Sequence, residues 1–161
     1  MTVEIRKMTS EEFEAFYRWS FEHHAAELME ELQLSQAEAA REAGAELAEM
    51  LPDGIHTGNN HFMTIAAEGE NAGFLWTIYE ETDGRRQCFL CDFAVWEPQR
   101  RKGTGEKALY LAERVAAADG RQEIVLFVRD ENAAARALYE KCGYRILRQE
   151  GYGKYMIKHL V

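Results

Sequence analysis

The sequence predicts an α/β (α+β) domain in which helices flank a mixed, mostly antiparallel sheet of seven strands. The predicted elements follow one another in the order β, α, α, β, β, β, α, β, α, β, β. Three of the strand-like runs stand at short spacing between residues 61 and 95, which favours an antiparallel meander. Residues 124–128 are almost continuously apolar, as is typical of a central strand buried on both faces.

The N-terminal part predicts one short strand and two long helices. Residues 3–5 alternate between apolar and polar side chains, as in a strand with one buried face. A capping box pairs Thr9 with Glu12, and a second pairs Ser35 with Glu38; each is a signature of a helix start. The second helix is expected to end before a Pro-Asp-Gly turn.

The remaining elements are predicted from apolar runs and from the glycines and caps that bound them. A helix is expected from residue 106 to 119, and Asn132 caps a short helix that ends at Cys142 and Gly143. Strands are expected over residues 61–67, 73–79, 88–95, 124–128, 144–148 and 155–160.

Length and composition limit the class of protein. A chain of 161 residues fits a single domain, here residues 1–161, that is large enough to bury a core. Its 47% of hydrophobic and 29% of charged residues are ordinary for a soluble globular protein. No apolar run approaches the ~20 residues of a transmembrane helix, and the N-terminus alternates like a strand rather than a signal peptide. We therefore expect a cytoplasmic protein without membrane contact.

The negative charge of the chain lies in its N-terminal part. Residues 1–60 carry 13 acidic and four basic side chains, whereas residues 61–161 carry 15 of each, so the net charge of −9 arises before residue 61. A nucleic-acid-binding surface needs clustered Lys and Arg, of which this part has few, and we expect no nucleic acid as a partner. An acidic surface would suit a cationic partner or substrate, although helices solvated by Glu explain the same composition.

The three cysteines lie in or next to apolar runs. Cys88 and Cys91 have the spacing of a CxxC pair, but they fall inside a predicted strand. Metal-binding and redox pairs usually lie on a turn or at a helix start. We interpret these residues and Cys142 as free thiols in a reducing compartment, and we expect no metal site.

Residues 95–105 form a glycine-rich loop between a predicted strand and a predicted helix. The start of a helix presents unpaired backbone N–H groups and the positive end of the helix dipole, which together hold phosphate oxygens. Gly103 and Gly105 lack a Cβ and let a ligand approach the backbone closely. Arg100 and Arg101 add positive charge, and the loop therefore predicts a pyrophosphate site.

Two nucleotide-binding motifs fit this loop poorly. A P-loop would continue with Lys and Ser or Thr after its last glycine, but Glu106 follows Gly105. The series Gly103-x-Gly105-x-x-Ala108 has the spacing of a dinucleotide fingerprint. That fingerprint requires glycines directly after the strand, whereas residues 97–102 intervene here. An NAD-dependent oxidoreductase remains the minor alternative.

The loop resembles a signature of the GNAT superfamily of N-acetyltransferases. Arg100-x-x-Gly103-x-Gly105 is similar to its Arg/Gln-x-x-Gly-x-Gly/Ala motif, and residues 132–144 resemble its Asn…Ala-x-x-Leu-Tyr-x-x-x-Gly-Phe/Tyr segment. The two segments cover residues 88–148, and the order of elements covers nearly the whole chain. The likeness is greatest to small bacterial acetyltransferases with two long N-terminal helices. Arg101 departs from the small glycine often found there, and Gln99 departs from a common aromatic residue.

This resemblance implies that acetyl-CoA is the co-substrate. In the superfamily the fourth and fifth strands splay apart, and the pantetheine arm lies between them. Arg101 would reach the 3′-phosphate of CoA or remain solvated, and Asn132 would contact pantetheine in addition to capping its helix. The implied cofactor-binding residues are Phe93, Val95, Arg100, Arg101, Gly103, Thr104, Gly105, Asn132 and Tyr139.

The resemblance also implies direct attack of an amine on acetyl-CoA in a ternary complex, without an acyl-enzyme. Tyr139 takes the position whose phenol protonates the CoA thiolate; ordinary pKa values of about 10 and about 8.5 allow that transfer. Asp92 would accept the ammonium proton, or serve as a structural acceptor on the strand face opposite Phe93 and Cys91. His61 is a second candidate base, and His23 and His24 are interpreted as helix residues.

The expected function is therefore an acetyl-CoA-dependent N-acetyltransferase acting on a primary amine. The acceptor would be a small molecule or a peptide, and a cationic amine would suit the acidic N-terminal part. We expect the helix pair and residues 51–62 to frame its site. A non-catalytic CoA-binding or regulatory module on the same fold is the alternative. The final strands would allow a homodimer without requiring one.

Overall fold

The computed structural model describes residues 1–160 and comprises two compact units. The sheet unit contains Met1–Lys7 and the chain from His61 onward, and the helical unit contains Met8–Asn60. The single domain expected over residues 1–161 stays a prediction. None of the described helices combines the length and the apolar character needed to cross a bilayer.

The sheet unit contains a seven-stranded sheet of order β1-β2-β3-β4-β5-β7-β6. Strands β4 and β5 pair in parallel, whereas the β1–β2, β3–β4, β5–β7 and β6–β7 pairs are antiparallel. The mixed, mostly antiparallel sheet predicted from the sequence is thereby confirmed. The strands are β1 (Val3–Lys7), β2 (Asn60–Ala67), β3 (Glu70–Thr82), β4 (Arg85–Val95), β5 (Glu123–Arg129), β6 (Arg145–Glu150) and β7 (Gly153–His159).

Helices α3 (Thr104–Ala118) and α4 (Ala133–Lys141) belong to the same unit. Ala108 and Leu109 of α3 share one buried cluster with Leu90, Leu126 and Met156 of the sheet. We call the sheet face that carries these three residues the α3 face. Side chains alternate along a strand, so the neighbours of these residues point to the opposite face.

The strands β3 and β4 are longer than predicted. Glu80 and Glu81 extend β3, and Arg85 and Arg86 extend β4, and all four side chains are exposed. An apolar pattern marks only the buried part of a strand, because the exposed part is held by backbone pairing and by polar contacts such as Arg85 with Glu123 and Arg86 with the Gly120 carbonyl. The sequence therefore predicted only residues 73–79 and 88–95 of these two strands.

The helical unit contains α1 (Ser10–Leu32) and α2 (Gln36–Met50). Both capping boxes are present, and the hydroxyl groups of Thr9 and Ser35 accept the N–H groups of Glu12 and Glu38 at 3.1 Å. The two helices bury Leu28, Ala39 and Ala43 in a common cluster, where small alanines permit close packing. A short 3₁₀ helix, Gly54–His56, follows α2.

Candidate active site

Strands β4 and β5 separate over their C-terminal halves. Their parallel pairing runs from Gln87 and Glu123 to Leu90 and Leu126. Beyond that last pair, β4 continues to residue 95 and β5 to residue 129. Backbone N–H and C=O groups that face such a gap need partners, which an extended ligand chain supplies in the manner of an added strand. The structure thus has the splayed strands that the sequence resemblance implied.

A β-bulge marks the point of separation. In the register of β3 with β4, Thr77 is opposite Leu90 and Trp76 is opposite Asp92, which leaves Cys91 as the extra residue. Directly paired residues point to the same sheet face. Leu90 is therefore on the α3 face and Asp92 on the opposite face. The expected opposition of Asp92 and Phe93 is confirmed, but the alternation does not extend back to Cys91.

The end of β4, the start of α3 and α4 meet at Gly105. A Cβ placed on Gly105 would lie 3.5 Å from Leu138 Cδ2 and 3.6 Å from both Phe93 Cζ and Val95 Cγ2. Phe93 and Val95 pack against the core of the α3 face. The side chains of these two predicted contacts are thus structural, and their backbone groups remain for a ligand in the gap.

The loop after β4 positions the start of α3. A 3₁₀ turn over Glu97–Gln99 is followed by Arg100, whose Nε donates to the Val95 carbonyl at 2.8 Å. Gly103 is the N-cap of α3 with a left-handed φ of 81°, and a Cβ there would meet nothing within 4 Å. Thr104 is buried as the first residue of α3. The loop therefore leaves open space at a helix N-terminus, where a phosphate group fits.

Arg101 has a left-handed backbone, with a φ of 62°. This region favours glycine, because a Cβ crowds the following carbonyl oxygen. The small glycine that the superfamily often has here is explained by this conformation. In this chain the conformation is kept by an exposed arginine.

Tyr139 is buried and contacts two aromatic rings. Its ring centroid lies 6.5 Å from that of Phe93 and 5.8 Å from that of Tyr144. Burial raises the pKa of Tyr139, and the Asp92 carboxylate and Cys142 raise it further. The phenol therefore stays protonated, as a proton donor must, but it is a weaker acid than the ordinary value of about 10 implies.

Asn132 is exposed and caps α4. Its Oδ1 accepts the N–H of Ala135 at 3.1 Å, which leaves the amide nitrogen for another partner. The capping predicted from the sequence is confirmed, and the contact with pantetheine stays a prediction.

The structure does not bring His61 to the glycine loop. Its ring packs 4.2 Å from that of Tyr79, whose hydroxyl donates to Asp119 at 2.6 Å. Asp119 is the C-cap of α3, and Gly103 is its N-cap. A helix of 15 residues separates those ends by about 22 Å.

Two further histidines, His23 and His24, lie in α1, as expected. His23 stacks on Trp19 at 3.6 Å, and its Nδ1 lies 2.9 Å from the Trp19 carbonyl oxygen. His24 pairs with Glu46 of α2. Both have partners within the helical unit.

The cysteines are free thiols. Burial raises the pKa of Cys88 to about 12 and also raises the pKa of Cys91 and Cys142. Thiols with raised pKa values are poor nucleophiles. Within residues 1–160, no group of three or more His, Cys, Asp or Glu side chains is arranged to hold a metal ion.

One buried charge near Tyr139 was missed in the sequence. Glu113 of α3 accepts the Tyr144 hydroxyl at 2.9 Å and the Lys158 ammonium at 2.8 Å. The available signal was its place on the apolar stripe of α3, four residues after Leu109 and three before Ala116.

Comparison with known proteins places the chain among acetyltransferases. The profile of the acetyltransferase (GNAT) family matches residues 8–144. The N-acetyltransferase YdgE of Bacillus subtilis is 30% identical over 145 residues, which are 89% of this chain and 92% of that protein. The N-acetyltransferase YycN of the same organism is 28% identical over 90% of this chain and 94% of its own.

Solved structures agree with the sheet and helices described above. The crystal structure of the acetyltransferase YycN from Bacillus subtilis has a TM-score of 0.84 at 27% identity, covering 92% of this chain and 96% of its own. Spermidine N-acetyltransferase from Vibrio cholerae, in complex with CoA and spermine, has a TM-score of 0.68 at 18% identity. It covers 98% of this chain and 95% of its own, and at that identity the likeness concerns the fold.

Proposed function

Because the chain belongs to the acetyltransferase (GNAT) family, we propose that it transfers the acetyl group of acetyl-CoA to a primary amine. The observation that carries this proposal is the separation of β4 and β5 directly beside the glycine loop. The pairing of β4 with β5 ends at Leu90 and Leu126, and Gly103 leaves open space at the N-terminus of α3. A ligand with an extended arm and a pyrophosphate matches these two features together.

The donor would be held mainly by backbone groups. The pyrophosphate would lie at Gly103, Thr104 and Gly105, where the first turn of α3 presents N–H groups. Arg100 and Arg101 would add charge, and pantetheine would pair with the backbone of β4 at Phe93 and Val95. A backbone N–H at residue 94 or 95 would polarise the thioester carbonyl as negative charge develops on its oxygen.

The reaction we propose is direct attack in a ternary complex. The neutral amine attacks the thioester carbonyl carbon, and the C–S bond breaks as the tetrahedral intermediate collapses. Tyr139 donates its proton to the departing sulfur. The raised pKa of Tyr139 is offset in part, because burial in the same gap would also raise the pKa of the CoA thiol and make its thiolate more basic.

Asp92 is our candidate for the group that takes the proton from the attacking nitrogen. Its side chain lies on the sheet face opposite α3, so the amine would approach from that face, with a water between nitrogen and carboxylate. Asp92→Asn tests the role. We expect kcat to fall and the acid limb of the kcat profile against pH to move toward the pKa of the bound amine, and an unchanged kcat profile would remove Asp92 from the mechanism.

The acceptor class that we favour is a cationic amine. Residues 1–60 carry 13 acidic and four basic side chains, a composition that would attract a cation. The Vibrio cholerae neighbour is a spermidine N-acetyltransferase with bound spermine, which makes polyamines the first class to assay.

Two measurements test the function. We expect acetyl-CoA, and not NAD, to raise the melting temperature of the protein, because binding to the folded state alone stabilises it. We then expect CoA thiol to be released only when an amine is added from a panel of polyamines, aminoglycosides and peptides. Stabilisation by acetyl-CoA without turnover on any amine would instead favour the non-catalytic module. Stabilisation by NAD alone would favour an oxidoreductase.

A further inference from the structure

Glu113, Tyr144 and Lys158 form a polar cluster on the α3 side of the sheet, which we call the Glu113 triad. Glu113 and Tyr144 are 7% and 3% exposed. Glu113 Oε2 accepts the Tyr144 hydroxyl at 2.9 Å, and Oε1 accepts Lys158 Nζ at 2.8 Å. A buried carboxylate is costly unless it is paired and hydrogen-bonded. Both oxygens of Glu113 have a donor, so the arrangement is satisfied.

The triad joins the three elements around the proposed active site. Glu113 belongs to α3, which begins in the glycine loop, and Lys158 belongs to β7. Tyr144 follows α4, which carries Tyr139. Removal of one member would leave a buried polar group without its partner, and the elements would lose their mutual orientation.

Tyr144 is connected to Tyr139 in two ways. The Tyr144 N–H donates to the Tyr139 carbonyl at 2.9 Å, which closes the end of α4. The two rings also pack with centroids 5.8 Å apart, and the Phe93 ring is the second aromatic neighbour of Tyr139, at 6.5 Å. Glu113 therefore holds one of the two aromatic rings that contact Tyr139.

We propose that the Glu113 triad positions the Tyr139 phenol for proton donation to the CoA thiolate. This inference rests on the proposed function. Proton transfer requires heavy atoms within hydrogen-bond reach, and displacement of a reacting group by 1 Å costs about 10²-fold in rate. The three members are positioning residues, because they act through Tyr139 and not on the substrate.

The Lys158 ammonium supplies the charge that balances Glu113. Loss of Lys158 alone would leave the buried Glu113 carboxylate without its ionic partner, which is costly. Loss of Lys158 alone should therefore lower kcat more than loss of both charges.

Steady-state kinetics with an amine from the panel distinguish a role in positioning Tyr139 from a role in the stability of the fold alone. We expect Tyr144→Phe and Glu113→Gln each to lower kcat about tenfold. The dissociation constant of CoA should stay within about twofold, because neither side chain belongs to the glycine loop. Tyr152→Phe, an exposed tyrosine of the β6–β7 turn, is the matched control and should change nothing.

Double variants give the sharper test. In a Tyr139→Phe background, Tyr144→Phe should cause no further loss of kcat, since residues that act as a unit are not additive. Lys158→Met combined with Glu113→Gln should recover part of the loss caused by Lys158→Met alone. Additive losses, or equal losses of kcat and CoA affinity, would overturn the positioning role.

A second measurement does not depend on turnover. In protein labelled with 3-fluorotyrosine and saturated with CoA, the ¹⁹F resonance of Tyr139 is assigned by its absence in Tyr139→Phe. We expect Glu113→Gln to shift or split that resonance and Tyr152→Phe to leave it in place. An unchanged resonance would overturn the proposal. Absence of turnover in the wild-type chain would count against the proposed function alone.

Discussion

Leu90 and Asp92 are two residues apart in β4, yet their side chains point to opposite faces of the sheet. In a regular strand, residues i and i+2 share a face. Here Cys91 is an extra residue between the positions opposite Thr77 and Trp76, and it reverses the alternation. The bulge thereby directs Asp92 away from α3 at the place where β4 leaves β5.

Deletion of Cys91 should abolish acetyl-CoA binding. Without the extra residue, β4 would run as a regular strand that keeps each residue on its present face, but it would lose the bend that a bulge introduces at the place where β4 leaves β5. Stabilisation by acetyl-CoA in thermal unfolding is the measurement, with circular dichroism as the check that the variant folds. Cys91→Ala is the control, because it keeps the chain length and removes only the thiol. It should retain binding and turnover, and loss of turnover in that control would contradict direct attack.

Tyr139→Phe should lower kcat by about 10²-fold while the dissociation constant of acetyl-CoA stays the same. The change removes the proton donor and keeps the ring packed against its aromatic neighbours. Kinetics at saturating amine, together with calorimetric titration of acetyl-CoA, measure the two quantities. Tyr110→Phe, at an exposed position of α3, is the control. An unchanged kcat in a chemistry-limited assay would remove Tyr139 from the mechanism.

Gly105→Ala should weaken acetyl-CoA binding without destabilising the fold. The added methyl group would make ordinary contacts of 3.5 to 3.6 Å, and alanine favours a helix by up to ~1 kcal/mol over glycine. It would also crowd the first turn of α3, where we propose that the pyrophosphate lies against the backbone of Gly105. Urea unfolding and titration with acetyl-CoA report the two effects.

Gly44→Ala in α2 is the matched control for this exchange. Its methyl group would lie 3.7 Å from the Phe21 ring, and it should stabilise the helix without affecting acetyl-CoA. Full affinity in Gly105→Ala would show that the ligand does not approach this backbone.

Arg101→Gly should reduce the preference for acetyl-CoA over its 3′-dephospho form. Glycine adopts the φ of 62° without strain, and the relief of about 1 kcal/mol roughly balances the extra entropy of the unfolded chain. Stability should therefore change little. Titration with both ligands measures the preference, with Lys102→Ala as the control for a loss of nearby charge. An equal preference in wild type and Arg101→Gly would mean that the guanidinium is solvated.

Mild acid should destabilise the protein through His61. Burial lowers the pKa of His61, and Nε2 is buried without a hydrogen-bond partner among the described residues. The unfolded chain, with a histidine pKa of about 6.5, then binds the proton more tightly than the folded one. The contribution of neutral His61 to the free energy of unfolding is therefore present above about pH 6.5 and is lost as the pH falls below that value.

Urea unfolding at pH values between about 5 and 7 tests this expectation. His61→Gln should flatten the dependence of the free energy of unfolding on pH. His56→Gln, at an exposed position, should leave the dependence as it is. The same slope in wild type and His61→Gln would contradict the prediction.

The sequence by itself determined the elements whose cause is local. The capping boxes at Thr9 and Ser35 formed as predicted, because each pairs groups three residues apart. Gly103 ends the loop in a left-handed conformation that favours glycine, and it could be recognised from its spacing to Arg100 and Gly105. The order of strands and helices followed from apolar periodicity for the same reason.

Tertiary structure alone decided which side chains meet. The bulge at Cys91 depends on the register of β4 against β3, and no residue type between Leu90 and Phe93 predicts it. The place of Glu113 on the apolar stripe of α3 indicates burial, but its partners Tyr144 and Lys158 lie more than 30 positions further along the chain, and only the folded structure brings them within 3 Å of it. Apolar periodicity and helix capping depend on residues a few positions apart, so the local sequence is enough to predict them. Strand register, the sheet face of each side chain and the partners of buried polar groups are set by contacts between distant segments. They are therefore defined only in the folded structure, in which the sheet packs against α3.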